Sequence, residues 1–388
     1  MSVFYNAKME INRDITNLAI ITFQDLYNEK QLKIVDTMAA SGVSSIRMLK
    51  ECSNIEKIYI NDLNPTALDL IHQNLSLNNC NEHPAQILVS RKDANLLLSE
   101  IANASFMGVD NNHQKPNVIS IDPFGTPNLY LDATFKAIKQ ENGLLCVTAT
   151  DTAVLFGIKP QACIRKYLSK PLHTNYCKEI GARILVCFIS KIANVNKMGI
   201  IPLLTFYNSH FIRVFCLTFK DQKRISKYFK AYGYIIHCKK CGNRTKIQNN
   251  ILELPRKCPF CDNNDNLDYA GPLWIYNIHN AKFLDEMITL NGESQYDNKK
   301  KIEKILSYSK SEIDMPISYY NIHKLSKSLK IPTIPKLDMI IETIKMKGFK
   351  VSRTHFDFLS IKTEMDIESI KKVLLELQII KSEGDIAR

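Results

Sequence analysis

The chain has 388 residues, 45% hydrophobic and 23% charged, a globular composition spread over too great a length for one ordinary domain. Its 51 basic against 39 acidic residues give a net charge of +12 and a pI near 9.0, which favours a polyanionic partner such as nucleic acid. Met1 to Asp14 is polar and lacks the apolar core of a signal peptide, and no apolar run approaches a membrane span. A cytoplasmic, reducing setting is expected, with no membrane association. The 11 cysteines then serve as packing residues or metal ligands.

In chain order, Phe4-Tyr5-Asn6 and Asn12-Arg13-Asp14 precede a helical pattern from Ile15 to Leu26. Arg13 is either a carboxylate clamp or a solvated cation at a helix start. Leu32 to Asp36 is the first strand, and Ala39-Ala40-Ser41-Gly42-Val43 turns it into a helix. Such a turn of small residues lets the backbone approach a ligand. It is neither a Gly-x-Gly-x-x-Gly fingerprint nor a phosphate loop. Ile58 to Asp62 is the second strand, ending in an acid where nucleotide-binding α/β folds carry their ribose-binding carboxylate. Asn64-Pro65 opens a helix to about Asn78. Ile87 to Ser90 is the third strand, with Asp93-Ala94 just beyond it.

The fourth strand, Val118 to Ile121, runs into Asp122-Pro123-Phe124-Gly125. Asp122 can accept a proton or hydrogen bond, and Pro123 offers a carbonyl without an amide hydrogen. Phe124 can stack on a flat ring, and Gly125 lets the backbone pass close by. That set suits a planar aminated base held for reaction at its exocyclic nitrogen; Asp-Pro and Gly are also common turn formers. Leu144 to Thr148 is the fifth strand.

The alternation argues an α/β, doubly wound sheet, whose ligands bind outside the carboxyl ends of the strands. Asp36, Asp62, Asp93 and Asp122 then line one edge. One such Asp is an ordinary helix cap. Four after successive strands suit a nucleoside cofactor, with one carboxylate for the ribose, one near the adenine amine, and Gly42 beneath an amino-acid tail. S-adenosylmethionine fits this better than a dinucleotide, because no pyrophosphate-binding loop is present.

Residues 174–197 read as a long helix. Gly199 to Phe206 and Phe211 to Phe219 read as strands around Asn208-Ser209-His210, an antiparallel pair that closes the sheet, with His210 a turn residue. Cys238, Cys241, Cys258 and Cys261 form a C-x2-C-x16-C-x2-C array, ribbon spacing for a structural zinc ion. Lys239, Lys240, Arg244, Lys246, Arg256 and Lys257 surround it and either touch phosphates or solvate the ribbon. Residues 291–315 look like a linker plus a helix. Helical segments near 320–329, 336–346 and 366–377 then bracket an extended stretch from Lys350 to Ile361, as in a small winged-helix or helical module. The expected division is 1–225 for the sheet domain, 226–290 for the ribbon region and 291–388 for an RNA-contacting module.

The stretches FYNAKMEINRD, DTMAASGVSSIR, NDLNP, KDAN, IDPFGTP, GLLCVTATD, GIIPLLTFYNSHFIRV, the two cysteine pairs, GPLW and SRTHFDFLSIKT resemble the archaeal and eukaryotic tRNA (guanine-26-N2)-dimethyltransferases. The resemblance covers about residues 4 to 380. It implies a Rossmann-like class I methyltransferase domain, a smaller C-terminal α+β domain carrying the zinc ribbon, and tRNA as partner, with no obligate protein partner evident. The activity implied is two methyl transfers from S-adenosylmethionine to one guanine amine. Arg13, Asp62, Asp93 and Ala94 fall on the family's cofactor positions, Asp122 on its catalytic acid, and Phe124 beside the base. Ser44 departs from the pattern, standing where the family usually has an arginine. Two other readings remain open from the residues: an amino-methyltransferase acting on another RNA or DNA base, and a non-catalytic zinc-ribbon RNA-binding protein.

Overall fold

The structure, a computed structural model, describes residues 3, 5–107, 115–248 and 255–386; Phe4 of the opening motif lies outside them. It begins with α1 (Glu10–Leu26), β1 (Leu32–Asp36), α2 (Val43–Glu51), β2 (Ile55–Asn61), α3 (Pro65–Leu77), β3 (Gln86–Ser90), α4 (Ala94–Met107), β4 (Val118–Ile121), α5 (Leu131–Ala137) and β5 (Leu144–Ala149). Next come α6 (Thr152–Leu155), α7 (Pro160–Tyr167), α8 (Cys177–Val195), β6 (Gly199–Asn208), β7 (Phe211–Phe219), α9 (Gln222–Tyr228), β8 (Tyr232–Cys238), β9 (Arg244–Gln248) and β10 (Leu267–Trp274). The chain closes with α10 (Ala281–Glu293), α11 (Lys299–Ser311), β11 (Tyr320–Asn321), α12 (Ile322–Ser328), α13 (Leu337–Met346), β12 (Val351–Arg353), β13 (Ser360–Thr363) and α14 (Ile367–Ile386).

Two compact units emerge. One is Met1–Thr152, Phe188–Tyr228 and Ile278–Leu306; the other is Ala153–Cys187, Phe229–Asn277 and Ser307–Arg388. They interleave along the chain, because compactness follows contacts between residues distant in sequence. The stretch expected as a linker shows this. Tyr296 donates its hydroxyl to Glu51 Oε2 at 2.8 Å, and Asn298 donates to Asp14 Oδ2 at 3.2 Å, so this polar segment is tied to α1 and α2.

The first unit holds a seven-stranded sheet of order β3-β2-β1-β4-β5-β7-β6. β3, β2, β1, β4 and β5 pair in parallel, and β7 lies antiparallel to both β5 and β6. β1, β4 and β5 are buried at every residue, which explains their unbroken aliphatic runs: central parallel strands are covered on both faces. The chain runs outward from β1 to β3, then returns to β4 beside β1. That reversal opens a crevice at the carboxyl ends of β1 and β4, where such sheets bind ligands. α1 is buried on nearly every face from Ile11 to Ile20, including Asn12, Arg13, Asp14, Thr16 and Asn17, and α10 packs along it. Burying that many polar groups requires partners, and several of theirs lie at the crevice.

The second unit holds two three-stranded sheets, β10-β8-β9 and β11-β13-β12. The second of these, with α12, α13 and α14, encloses a core that includes Ile322, Ile340, Ile344, Ile361, Ile370 and Leu374. Among the described residues, no helix is long and apolar enough to cross a membrane.

Candidate functional site

The four acids do stand at successive strand ends, but their environments differ. Asp36, the last residue of β1, is buried and accepts the Ser45 hydroxyl at 2.6 Å through Oδ2. Burial pushes its carboxyl up to about 6; Ser45 pulls it down, Asp122 pushes it up, Arg213 opposes and Asp62 adds. Asp62 takes the amide of Ala40 on Oδ2 at 2.8 Å and that of Asn64 on Oδ1 at 2.9 Å. It thereby pins the loop after β1 to the end of β2. Asp93 is exposed and caps α4, its Oδ1 accepting the amides of Asn95 and Leu96; Ala94, the first residue of that helix, is buried.

In the loop after β1, Gly42 has φ +76°, and a Cβ there would lie 3.1 Å from Ile71 Cγ1. Its left-handed backbone and close neighbour both favour glycine. The Gly42 amide donates to Ala39 O at 2.8 Å, closing the turn from which α2 starts.

Asp122 follows β4 directly and is half-buried. Asn12 Nδ2 donates to its Oδ2 at 3.3 Å. Burial raises the Asp122 carboxyl above the ordinary range, while the Arg213 charge, the Thr148 hydroxyl as hydrogen-bonding neighbour, Arg13 and His210 draw it down. Pro123 is buried, whereas Phe124 is 78% exposed, a large flat ring presented at the mouth of the crevice. The loop is held in place by Thr150, whose hydroxyl accepts the Gly125 amide at 2.7 Å and whose own amide returns to Gly125 O at 2.9 Å. Gly125 has φ +91° with nothing within 4 Å of the Cβ it lacks, so open space lies beside Phe124.

Arg13 lines a cavity of about 240 Å³ with Tyr5, Asp14, Val43, Arg47 and Tyr296. Arg47 is committed there, paired to Asp14 Oδ1 at 2.6 Å and to Glu51 Oε1 at 2.5 Å. Arg13 instead meets Tyr5, by a 3.4 Å hydrogen bond to the phenol and with its guanidinium 5.3 Å from the ring centre. Among the described residues it is the cation of that cavity with no carboxylate partner, and can receive one from a ligand.

The sequence reading passed over Asn12, Thr148 and Arg213, all of which converge on Asp122. Arg213 carried the clearest signal, since it interrupts the apolar run from Phe211 to Phe219, and a charge inside a buried strand calls for partners. His210 is more than a turn residue: its Nε2 lies 3.3 Å from Asn6 Nδ2, and Asp122 feels it across space.

The two cysteine knuckles meet at one point. Cys238 and Cys261 Sγ are 3.7 Å apart, as are Cys241 and Cys258 Sγ, and all four lie within 4.8 Å of one another. A tetrahedron with Zn–S bonds of about 2.3 Å has edges of about 3.8 Å, so the thiolates fit zinc. Each knuckle turns through a left-handed residue after its second cysteine, Gly242 at φ +76° and Asp262 at φ +52°. Of the basic residues around it, Arg244 serves packing. Its guanidinium lies 4.2 Å from the ring centres of both Tyr176 and Tyr320 and donates to Ser318 Oγ and Tyr319 O. Lys239 pairs with Asp268 at 2.9 Å, while Lys240, Lys246, Arg256 and Lys257 remain exposed.

A parallel sheet closed by an antiparallel pair, acids at four strand ends and a carboxylate-Pro-aromatic loop at the crevice define a class I S-adenosylmethionine-dependent methyltransferase. The family profile described as N2,N2-dimethylguanosine tRNA methyltransferase matches residues 1–375, and the chain belongs to that family. It is 35% identical over 375 residues to the tRNA (guanine(26)-N(2))-dimethyltransferase of Methanobrevibacter smithii, covering 97% of this chain and 92% of that one. It is 30% identical over 380 residues to the Aquifex aeolicus tRNA (guanine(26)-N(2)/guanine(27)-N(2))-dimethyltransferase, covering 97% and 91%. Among solved structures, Trm1 from Pyrococcus horikoshii in complex with S-adenosyl-L-methionine superposes with a TM-score of 0.80 at 29% identity, over 96% of this chain and 95% of that one.

Proposed function

We propose that the chain methylates the exocyclic N2 amine of guanine 26 in tRNA twice, with Asp122 receiving the amine proton. The observation that carries this reading is the half-buried Asp122 carboxylate beside the exposed Phe124 ring at the sheet's crevice.

S-adenosylmethionine supplies an electrophilic methyl group on a sulfonium. The guanine amine is a weak nucleophile whose lone pair is delocalised into the ring, so alignment at contact distance matters more than a strong base. Asp122 and the Pro123 carbonyl accept hydrogen bonds from the amine and orient it. The amine turns cationic as it is alkylated, and the carboxylate stabilises that charge before taking the proton. Phe124 stacks on the base, which must leave its pairing to reach the site. The open space beside Gly125 leaves room for a monomethylated amine to turn for the second transfer. Asp36, Asp62, Asp93 and Ala94 would hold the nucleoside, the Gly42 turn would lie under the amino-acid tail, and Arg13 would bind its carboxylate. Ser44 brings no second cation, and Arg47 is already paired with Asp14 and Glu51, so the cofactor carboxylate would rely on Arg13.

Of the expected module at 291–388, the part from Tyr320 onward, with the order β11, α12, α13, β12, β13 and the β11-β13-β12 sheet, supports reading it as a winged helix for RNA. The exposed Lys240, Lys246, Arg256 and Lys257 of the ribbon suit phosphate contacts. Action on tRNA fits a cytoplasmic enzyme that works without an obligate protein partner.

Mass spectrometry of nucleosides from unmodified tRNA incubated with the protein and S-adenosylmethionine tests the assignment. Dimethylguanosine at position 26, lost in Asp122→Ala, is the expected result. Monomethylguanosine alone would remove the second transfer, and modification mapped to another base would remove the substrate assignment.

A further inference from the structure

Arg213 places a charge inside the catalytic sheet. It lies within β7 at 1% exposure, and among the described residues no carboxylate forms a hydrogen bond or ion pair with it. Its donors go to three hydroxyls on three elements: NH1 to Thr148 Oγ1 on β5 at 2.6 Å, NH2 to Ser120 Oγ on β4 at 3.2 Å, and NH2 to Thr16 Oγ1 on α1 at 3.2 Å. A buried guanidinium costs several kcal/mol of desolvation, which three neutral hydroxyls compensate only in part. Opposite charge is supplied across space by Asp122 and Asp36, both of which feel Arg213.

The strand register explains the convergence. Thr148 pairs with Arg213, and Ser120 pairs with Cys146, so Ser120, Asp122, Thr148 and Arg213 project from the same face of the sheet. A hydroxyl has one hydrogen. Thr148 Oγ1 accepts from Arg213, so its one hydrogen is free to turn toward Asp122, whose carboxyl Thr148 draws down. Thr16 Oγ1 likewise accepts from Arg213 and donates to Asn12 O at 2.6 Å, and Asn12 Nδ2 donates to Asp122 Oδ2 at 3.3 Å. Arg213 thus braces Thr148 on the face of the sheet that carries Asp122, and braces Thr16 one helical turn from Asn12, whose side chain donates to Asp122.

We infer that Arg213 is a positioning residue for methyl transfer, holding the Asp122 carboxylate ionised and aimed through Thr148 on one side and through Thr16 and Asn12 on the other. This rests on the reading of Asp122 as proton acceptor. The charged groups bearing on Asp122 are Arg213 from β7, Arg13 from α1, His210 from the β6–β7 turn and Asp36 from β1. Arg213 comes first among the charges that oppose its burial.

The test is the pH dependence of single-turnover methyl transfer to unmodified tRNA at saturating S-adenosylmethionine, for the full chain and for Thr148→Val, Arg213→Met and Arg213→Lys. Thr148→Val and Arg213→Met should move the acid limb upward by about one pH unit, the scale of a lost opposite charge or hydrogen bond. They should slow the neutral-pH step about tenfold or more, with unchanged S-adenosylmethionine affinity by calorimetry. Arg213→Lys should restore part of both. An acid limb unmoved in Thr148→Val overturns the inference even if Arg213→Met fails to fold. Asp122→Asn, measured alongside, separates the two readings. If it retains its rate, the proton-acceptor role fails and this inference falls with it; if it is inactive while the limb stays unmoved, only the role of Arg213 fails.

Discussion

The Asp62 carboxylate accepts the amide of Ala40 at 2.8 Å through one oxygen and that of Asn64 at 2.9 Å through the other. The acid after β2 thus shapes the glycine turn after β1. Hydrogen bonds to a charged group contribute about 1.5–3 kcal/mol each, and Ala40 holds a left-handed φ of +49° that this bond helps impose. Asp62→Ala should therefore weaken S-adenosylmethionine binding about tenfold or more by calorimetry, and Asp62→Asn should weaken it less. Unchanged affinity in Asp62→Ala would show that the turn holds its shape unaided.

Asp36 makes a pH-dependent contribution of unfavourable sign. Its carboxyl rises from 3.8 to about 6 on burial, so between those values the folded state binds more protons than the unfolded one, and stability falls as pH rises. The charged form costs on the order of 2–3 kcal/mol above that window. Asp36→Asn, which still carries an acceptor for Ser45, should be more thermostable than the parent at neutral pH, with the difference vanishing below pH about 4. An equal difference at both pH values would contradict the shift.

The sulfur separations in the ribbon predict stoichiometric zinc. Elemental analysis should find it in the purified protein and miss it in Cys241→Ser. Chelation should lower the melting temperature, since structural zinc binding is coupled to folding by about 10 kcal/mol or more. Metal-free protein with an unchanged melting temperature would mean that the thiol cluster holds without the ion.

Glu179 is fully buried between two cations, Arg183 Nε at 2.9 Å and Lys362 Nζ at 2.7 Å, and its other oxygen takes the Ser318 amide at 3.0 Å. Lys362 also reaches Glu312, which in turn receives the His355 amide and ring. Removing one member of such a cluster strands buried charge, at a cost of about 3–5 kcal/mol. Glu179→Ala should show that loss in denaturant unfolding, and Glu179→Gln a smaller one. A loss below about 1 kcal/mol would mean that water enters the cluster.

Much of this was legible in local pattern. The strands at Leu32–Asp36, Val118–Ile121 and Phe211–Phe219 have the bounds expected of them, because a buried strand needs a continuous apolar run and a turn former ends it. The cysteine array was legible for a similar reason: each knuckle is built by neighbours in sequence. Asp122-Pro123-Phe124-Gly125 needed only the strand before it to be placed at the crevice.

The helix expected within 291–315 is α11, but the bonds of Tyr296 and Asn298 to Glu51 and Asp14 were not legible, since a polar stretch ahead of a helix reads as a linker. The basic character of Arg244 left phosphate contact and solvation of the ribbon both open, yet two tyrosines enclose it. The sequence by itself determined most strands of the large sheet, the cysteine array, the family and the residues at the strand ends, because those follow from short-range periodicity and motif. Only the tertiary structure decided which polar groups Asp122 would meet. Asn12, Thr16, Thr148 and Arg213 lie far apart along the chain, and sheet register together with the docking of α1 brings them to one carboxylate.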